Sequence, residues 1–522
     1  MSDSAEIELN ECDVAGARRA PGGARLARIF DIMGVCSRPA RLSVALAMAA
    51  ALSPAAARAD DLQLVTVIHA ALDHGPKVEH ADNALKVAEA RLQQAEGAFD
   101  WRASARAGWS RLYYPRIETV GGVRVLTDSL DSSSAVQVSA GVDRVFRNGV
   151  EIQPGISYYP SVRATNAQTI GQTRPIPTID LKVPLLHAFD DNNPAAATER
   201  AAFFGVVGAK FERTASLQQA VVASVQTYWK CLAAADEEAI LANRQTLSRN
   251  YLQSLHKLLG AGQIESAILD REAARQTAND ANLSKVRELL ALCRSDLATL
   301  VRAGKDIALP TIASAFPGLS DMHARAAGLN EAEMTELAYQ KRPDLQALQQ
   351  YVSGANDKLA AAQAGLDPKI DLSVNPDGVF VSVSRSLEHN SEEGVLAEAA
   401  ANASDARLNV TEMRSQIARD VSQGLAALND SLSNFDALRQ SDQAMTAVLK
   451  DARHAVRTGG MDTDQLRVLE GEQADTAVRL IEAELDCVLN LAALRLTTGT
   501  VETDDPASDA RSAVLFQSLE FR

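Results

Sequence analysis

From Leu217 to Val301, apolar side chains return every three or four residues. Val221, Val225, Tyr228, Leu232 and Ala235 lead on to Leu247, Tyr251, Leu255 and Leu258. Leu283, Val286, Leu290, Cys293, Leu297 and Leu300 mark the second half. This is the spacing of coiled-coil helices. Gly260-Ala-Gly262-Gln-Ile-Glu265-Ser266 interrupts it and predicts a turn, with Ser266 capping the second helix. Forty helical residues span about 60 Å. That is longer than a small domain is wide, so the hairpin needs lateral partners rather than a globular core. The same pattern returns later. Met413, Ile417, Val421, Leu425, Leu428, Leu432 and Phe435 mark an outgoing arm, and Thr458-Gly-Gly460-Met-Asp462-Thr-Asp464 marks a turn. Leu466, Leu469, Gln473, Ala477, Leu480, Val488 and Leu491 mark a return arm.

Ahead of each hairpin the period changes to two. Ala103 to Tyr114 alternates and carries Trp109, Tyr113 and Tyr114. Residues 118–134 are polar and glycine-containing and read as a loop. Val136, Val138, Ala140 and Val142 then alternate with Gln137, Ser139, Gly141 and Asp143. Asn148-Gly149 is a hairpin-turn dipeptide, beyond which Val150, Ile152, Ile156 and Tyr158 continue. Ile179, Leu181, Val183 and Leu185 alternate again. In the second half, strands over 369–374 and 379–387 flank the turn Asn375-Pro-Asp-Gly378. One apolar and one polar face, with tyrosines near the strand ends, is the pattern of barrel strands between lipid and water. A periplasmic sandwich would alternate in the same way.

The two halves are copies. Helical stretches over 62–98, broken at Gly75-Pro76, and over 334–366 precede the strands. A shift of 267 places Ala71 on Ala338, Pro76 on Pro343, Ala88 on Ala355, Leu92 on Leu359, Ala95 on Ala362 and Asp100 on Asp367. The chain therefore divides into a first repeat over 60–304, a linker over 305–330, a second repeat over 331–499 and an acidic, loose tail over 500–522. The first repeat holds a helix, strands within 103–186 and a helical hairpin over 194–302. The second holds a helix, short strands within 369–387 and a hairpin over 395–498. A single copy leaves its heptad faces unburied, and two copies still make an open structure, so oligomerisation is implied.

The N-terminus reads as a signal peptide over 1–59. Arg38 and Arg41 precede the apolar run 42–52, and Ala57-Arg-Ala59 is a small-x-small cleavage site. The run is too short to span a bilayer. Met33 is an alternative start that would give a leader of ordinary length. Cleavage removes seven basic and six acidic residues, taking the formal charge from −15 to −16. That balance argues against nucleic acid as a partner.

Three of the five cysteines remain after cleavage. Cys231 and Cys293 sit on opposite arms of the first hairpin at similar distances from Gly262. They are either a disulfide of an exported protein or small buried heptad residues. Cys487 stands where Cys293 stands in the first copy. No paired-cysteine metal motif, phosphate-binding loop, His-Glu-x-x-His or nucleophile elbow occurs. His69, His74 and His80 are not spaced for one helical face. An enzyme, a cofactor and a metal centre are therefore not expected.

Helix, strands, long helical hairpin, linker, then the same again: this order resembles the TolC-like outer-membrane factor family, also called outer-membrane efflux proteins. The resemblance covers 62–499. It rests on the twofold repeat, on Arg342-Pro-Asp-Leu345, on Val183-Pro-Leu-Leu186 through Asn193, and on the glycine turns followed by Ala267-Ile-Leu-Asp270 and Arg467-Val-Leu-Glu470. It implies a mainly α chain with a β membrane portion, and duplicated helical hairpins forming a periplasmic tunnel. It also implies a homotrimer whose strands close one barrel in outer-membrane lipid. The role implied is a passive duct of a tripartite efflux or type I secretion system, served by a periplasmic adaptor and an inner-membrane pump. The alternative is a periplasmic coiled-coil scaffold without a pore.

The family narrows its tunnel at the helical turns with carboxylates. The matching positions are Asp270 and Glu470, with Glu265, Asp462 and Asp464 beside them. Packed around an axis they would form a cation-admitting ring. As acids at helix N-termini they would also be favoured by the dipole alone. Arg467 stands where the family pattern often carries another acid, which suggests an ion pair within the gate.

Overall fold

The computed structural model describes residues 64–164, 174–186, 193–300 and 322–501, with single positions 316, 319 and 503. The leader read over 1–59 lies outside these residues. Helix α1 (Leu64–His74) is broken from α2 (Pro76–Glu96) where Pro76 removes a backbone donor and opens the new helix. The second repeat uses the same device. Helix α6 (Glu331–Lys341) gives way to α7 (Pro343–Ala364), and Arg342 before the proline is extended and hydrogen-bonded to Asp344 through its Nε at 3.0 Å.

Strand β1 (Arg102–Val120) runs beyond the alternation around Trp109, and β2 (Val123–Val145) begins within the stretch read as a loop. The turn is Gly121-Gly122, with φ of 63° and 87°. Two adjacent residues at positive φ make the tight turn whose twist matches antiparallel strands, so the ladder continues to Val120 opposite Val123. The loop expected over 118–134 is thus the far half of a long hairpin. Serines and aspartates there leave neither face apolar, which hid the period. Strands β3 (Glu151–Ala164) and β4 (Ile176–Pro184) complete the first set. Strands β5 (Lys369–Asn375) and β6 (Gly378–Ser384) come from the second repeat. All six form one antiparallel sheet in chain order, and β4 pairs with β5 from Leu181 opposite Val374 to Pro184 opposite Asp371.

Helices α3 (Pro194–Gly260) and α8 (Asn390–Arg457) have 67 and 68 residues, about 100 Å each at 1.5 Å per residue. Asn193 starts α3: its Oδ1 accepts from the Ala195 amide at 2.9 Å, and Pro194 occupies the first helical position. The return arms are α4 (Ser266–Leu300) and α9 (Thr463–Thr497). Gly262 (φ 71°) and Gly459 (φ 78°) supply the left-handed residue of each turn. Ser266 lies inside α4 rather than capping it, and Glu265 holds the preceding position. Near the sheet the helices lie abreast in the order α2, α3, α7, α8. Toward the tips the order is α4, α3, α9, α8.

The core sits midway along the rods. Val221, Val225, Tyr228, Trp229 and Leu232 of α3 pack with Ile417, Val421, Leu428 and Leu432 of α8 and Val488, Leu491 and Leu494 of α9. The stretch read as a linker takes part. Phe316 stacks on Trp229 at 5.5 Å, and Leu319, Met322 and Ala326 are buried, the last two on the short helix α5 (Met322–Ala326). The start of the tail is also packed: Thr500 and Val501 are buried, and Gln218 Nε2 donates to the Val501 carbonyl at 2.8 Å. Cys231 and Cys293 form a disulfide that ties α3 to α4, so the alternative of two free heptad thiols does not hold. The first pair of arms comes close enough at that level, with Cα atoms 5.5 Å apart.

Close helix contact has a sequence cause as well. A Cβ on Gly208 would overlap the Tyr351 ring of α7, and one on Gly354 would lie 3.3 Å from the Ala201 backbone. Gly208→Val should push α3 and α7 apart and cost about 1–3 kcal/mol, read as a lower thermal midpoint by circular dichroism. Ala202→Val, on the same helix but half-buried, is the comparison and should cost less.

Candidate membrane sheet and helical constriction

The register assigns each strand residue to a face. Ala105, Ala107 and Trp109 of β1 share a face with Val138, Ala140 and Val142 of β2 and with Pro154, Ile156 and Tyr158 of β3. The same face continues through Ile179, Leu181 and Val183 of β4 and Ile370, Leu372 and Val374 of β5 to Val379, Val381 and Val383 of β6. The opposite face is mostly polar, with Arg106, Gln137, Ser139, Asp143, Gln153, Ser157, Asp180, Lys182, Asp371, Ser373 and Ser382, and also carries Ile176 and Phe380. Lys182 and Asp371 pair across β4 and β5 at 3.1 Å, and Arg102 and Asp143 across β1 and β2 at 3.6 Å. The apolar face is bare: Ile156, Ile179, Val379, Val381 and Val383 are between 51% and 68% exposed. A row of large apolar side chains left uncovered across a whole sheet marks a surface meant for something other than water. Trp109 and Tyr113, both 61% exposed, stand at the upper margin of this band on β1.

At the opposite end, the expected constriction residues fall into separate groups. Glu470 of α9 is half-buried between two arginines, Arg467 Nη1 at 2.7 Å and Arg453 Nη2 at 3.2 Å. Asp464 is ion-paired with Arg271 of α4, a contact that joins the two hairpins. Asp462 and Asp464 line a cleft of about 520 Å³ with Tyr251, Arg271 and Arg467. Arg467 also lies over the Tyr251 ring at 5.1 Å. Burial pushes the Tyr251 phenol above its usual range, and Asp464, Glu272 and Asp462 add to the shift. Glu265, Asp270 and Asp462 are exposed. The six candidates therefore do not form one cluster within the chain, and Glu470 and Asp464 have their charge met by arginines.

Sequence reading missed Arg271, Arg453 and Glu272. Folding the chain about Gly459-Gly460 brings Arg453 opposite Glu470, so that partner was available from the turn. No local signal links Arg271 to Asp464. Glu272 is 5% exposed and accepts from Ser248 Oγ at 3.0 Å beside Arg275 at 3.5 Å. It helps line a cavity of about 600 Å³ with Arg244, Arg453, Arg467 and Glu470.

Higher up, α3 and α9 face each other with like charges. Burial raises the Glu237 carboxyl above its usual value of 4.5, and Glu482 adds to the shift. Burial likewise raises Glu484, with Asp236 adding to it. An acid held above its unfolded pKa loses folded-state stability as it ionises. Stability from these two groups should therefore rise as pH falls from neutrality toward 4.5. Glu484→Gln should raise the thermal midpoint at pH 7 and flatten that part of the pH profile.

Among the described residues no helix is long and apolar enough to cross a membrane, and no group of His, Cys, Asp and Glu is arranged to hold a metal ion. No protein-family model matches the chain, and no curated protein matches it. Solved structures do. The Campylobacter jejuni CmeC outer membrane channel aligns over 89% of this chain and 92% of its own, at 12% identity and a TM-score of 0.60. The Vibrio cholerae outer membrane protein VceC aligns over 84% and 96%, at 16% identity and 0.59. The open state of the Neisseria gonorrhoeae MtrE outer membrane channel aligns over 84% and 88%, at 15% identity and 0.58. With its two-faced sheet on duplicated helical rods, the chain has the fold of these outer-membrane channels, the TolC-like fold that its repeat order resembles.

Proposed function

We propose that the chain is the outer-membrane duct of a tripartite efflux or type I secretion system, passive in itself. Three copies would close one barrel in outer-membrane lipid and one helical tunnel across the periplasm. A periplasmic adaptor and an inner-membrane pump would supply the energy and the opening signal. The observation that carries this reading is the sheet: six strands with an apolar face, a more polar face and two outer edges, β1 and β6, that pair with no further strand among the described residues. Lipid tolerates no open edge, so sister copies must close it. Rods of about 100 Å fit a periplasm-sized gap. A pore-free coiled-coil scaffold accounts for the rods and leaves the two-faced sheet without a purpose.

The tips are the proposed constriction. Glu265, Asp270 and Asp462 supply negative charge, while Arg271–Asp464 latches one hairpin to the other and Arg453–Glu470 ties the two arms of the second hairpin. An exposed pair such as Arg271–Asp464 contributes about 0–1 kcal/mol. Arg271→Ala should therefore shift the melting profile little, yet raise conductance and cation preference by freeing Asp464. Unchanged conductance and selectivity in planar bilayers would remove Arg271 from the latch. Fractionation tests the duct itself. A heat-modifiable trimer recovered with outer membranes supports it, and a soluble periplasmic species supports the scaffold.

A further inference from the structure

We infer that each chain carries a docking point for the phosphodiester of a membrane phospholipid, built on Arg144 with Trp101 and Phe146, at the margin of the apolar sheet face nearest the helices. This rests on the duct reading above and adds a specific lipid contact that fixes how deep the sheet sits in the bilayer.

Three observations carry it. The first is position. Trp101 directly precedes Arg102, Arg144 directly follows Asp143, and Arg102 and Asp143 are register partners. Alternation therefore places Trp101 and Arg144 on the face of Ala103, Ala105 and Val142, not on the polar face. Phe146 follows two positions on, and Ile152 of β3 lies opposite Arg144. A cation thus stands on the apolar face. A lipid-facing arginine is unfavourable at mid-bilayer and tolerated near the interface, so Arg144 marks the level of the headgroups.

The second is how the side chain is held. Arg144 Nε donates to the Phe99 carbonyl at 3.0 Å. The guanidinium lies over the Trp101 ring at 5.5 Å and the Phe146 ring at 5.1 Å. Arg144 is half-buried, while both rings are exposed. The neighbouring acids are engaged elsewhere, Asp143 with Arg102 and Glu199 with Arg147. Among the described residues no carboxylate is ion-paired with Arg144. A guanidinium tethered at Nε keeps its Nη atoms for a ligand, and its planar fork suits two oxygens of a phosphate. The rings and Ile152 beside it favour a phosphate that carries acyl chains over a free one.

The third is height. Arg111 lies over the Trp109 ring at 5.4 Å, on the same face and beside Tyr113. Trp101 and Arg111 stand ten positions apart, about 33 Å along an extended strand and about 25 Å along the bilayer normal at a tilt of about 40°. The apolar band of a membrane barrel is about 25 Å tall. An arginine on an aromatic ring therefore brackets the band at each margin, and the Arg144 cluster falls at the phosphates of the periplasmic leaflet.

Native mass spectrometry of the detergent-extracted wild-type assembly tests this with two probes, dioleoylphosphatidylglycerol and dioleoylglycerol. They share their acyl chains and differ in the phosphate headgroup. The phospholipid should stay bound and the diacylglycerol should not. Arg144→Gln should weaken phospholipid retention roughly tenfold, and Arg106→Gln, on the polar face, should leave it unchanged. Equal retention of the two probes by the wild type would overturn the inference, and that comparison needs no variant to fold. So would an Arg144→Gln assembly that keeps its phospholipid, or displacement of the lipid by inorganic phosphate, the behaviour of a free-anion site. An assembly that conducts yet gives one of these results loses the lipid site and keeps the duct. Wild-type chain that neither assembles nor conducts would remove the duct reading, and the site with it.

Discussion

Val381→Arg should prevent stable residence in the outer membrane, while Ser382→Arg, one position along the same strand, should be tolerated. The two residues are adjacent on β6 and both are exposed in the single chain. They differ in the face they occupy. Val381 continues the apolar surface formed by Leu372 and Val183, whereas Ser382 lies opposite Asp371 on the polar face. An arginine facing the middle of the bilayer costs about 2–4 kcal/mol in a β-barrel, and every copy would carry one. An arginine at Ser382 would point to water, beside a carboxylate that already holds Lys182 at 3.1 Å. Membrane recovery after urea extraction, with heat-modifiability on gels, reads the difference. Equal recovery of both variants would mean that the apolar face does not meet lipid.

Cys231→Ser should lower the stability of the helical part by about 2–4 kcal/mol, the usual effect of removing a native disulfide. The bridge joins residues 62 apart in sequence, and the unfolded chain regains the freedom of that loop. The buried end of the bridge, Cys231, is fully enclosed in the core beside Leu232 and Trp229. Reductant should reproduce the effect in the wild type and add nothing in the variant, as followed by thermal unfolding. Cys487→Ala is the control. Burial pushes its thiol up to about 11, and no cysteine among the described residues pairs with it, so its removal should make no difference to the response to reductant. A melt insensitive to reductant in the wild type would contradict a stabilising bridge.

Much of this architecture is legible in the sequence because its signals are periodic and repeated. Heptads from Val221 to Leu300 and from Met413 to Leu491 mark rods, and Pro76 and Pro343 open matching helices. Alternation at Val136 to Val142 and at Ile179 to Val183 marks strands with two different faces. What was hidden had no periodic signal. The outer half of the β1–β2 hairpin mixes apolar and polar residues on both faces, so only Gly121-Gly122 announces its turn. Phe316 and Val501 lie in stretches that look like linker and tail, yet long-range contacts draw both into the structure. Arg271 meets Asp464 across 193 residues, a pairing fixed by how the two hairpins lie side by side. The constriction was legible as a location, from the glycine turns and the acids beside them. Its internal wiring was not, because two of the acids are held by arginines from other helices or from across the turn.

We propose that seams between identical copies close a water-filled path through lipid. Single-channel recording of the purified, detergent-extracted chain in planar bilayers tests it most directly. Discrete, reproducible conductance steps from an assembly of three chains are the expected result. A compact monomer that leaves the bilayer silent would contradict it.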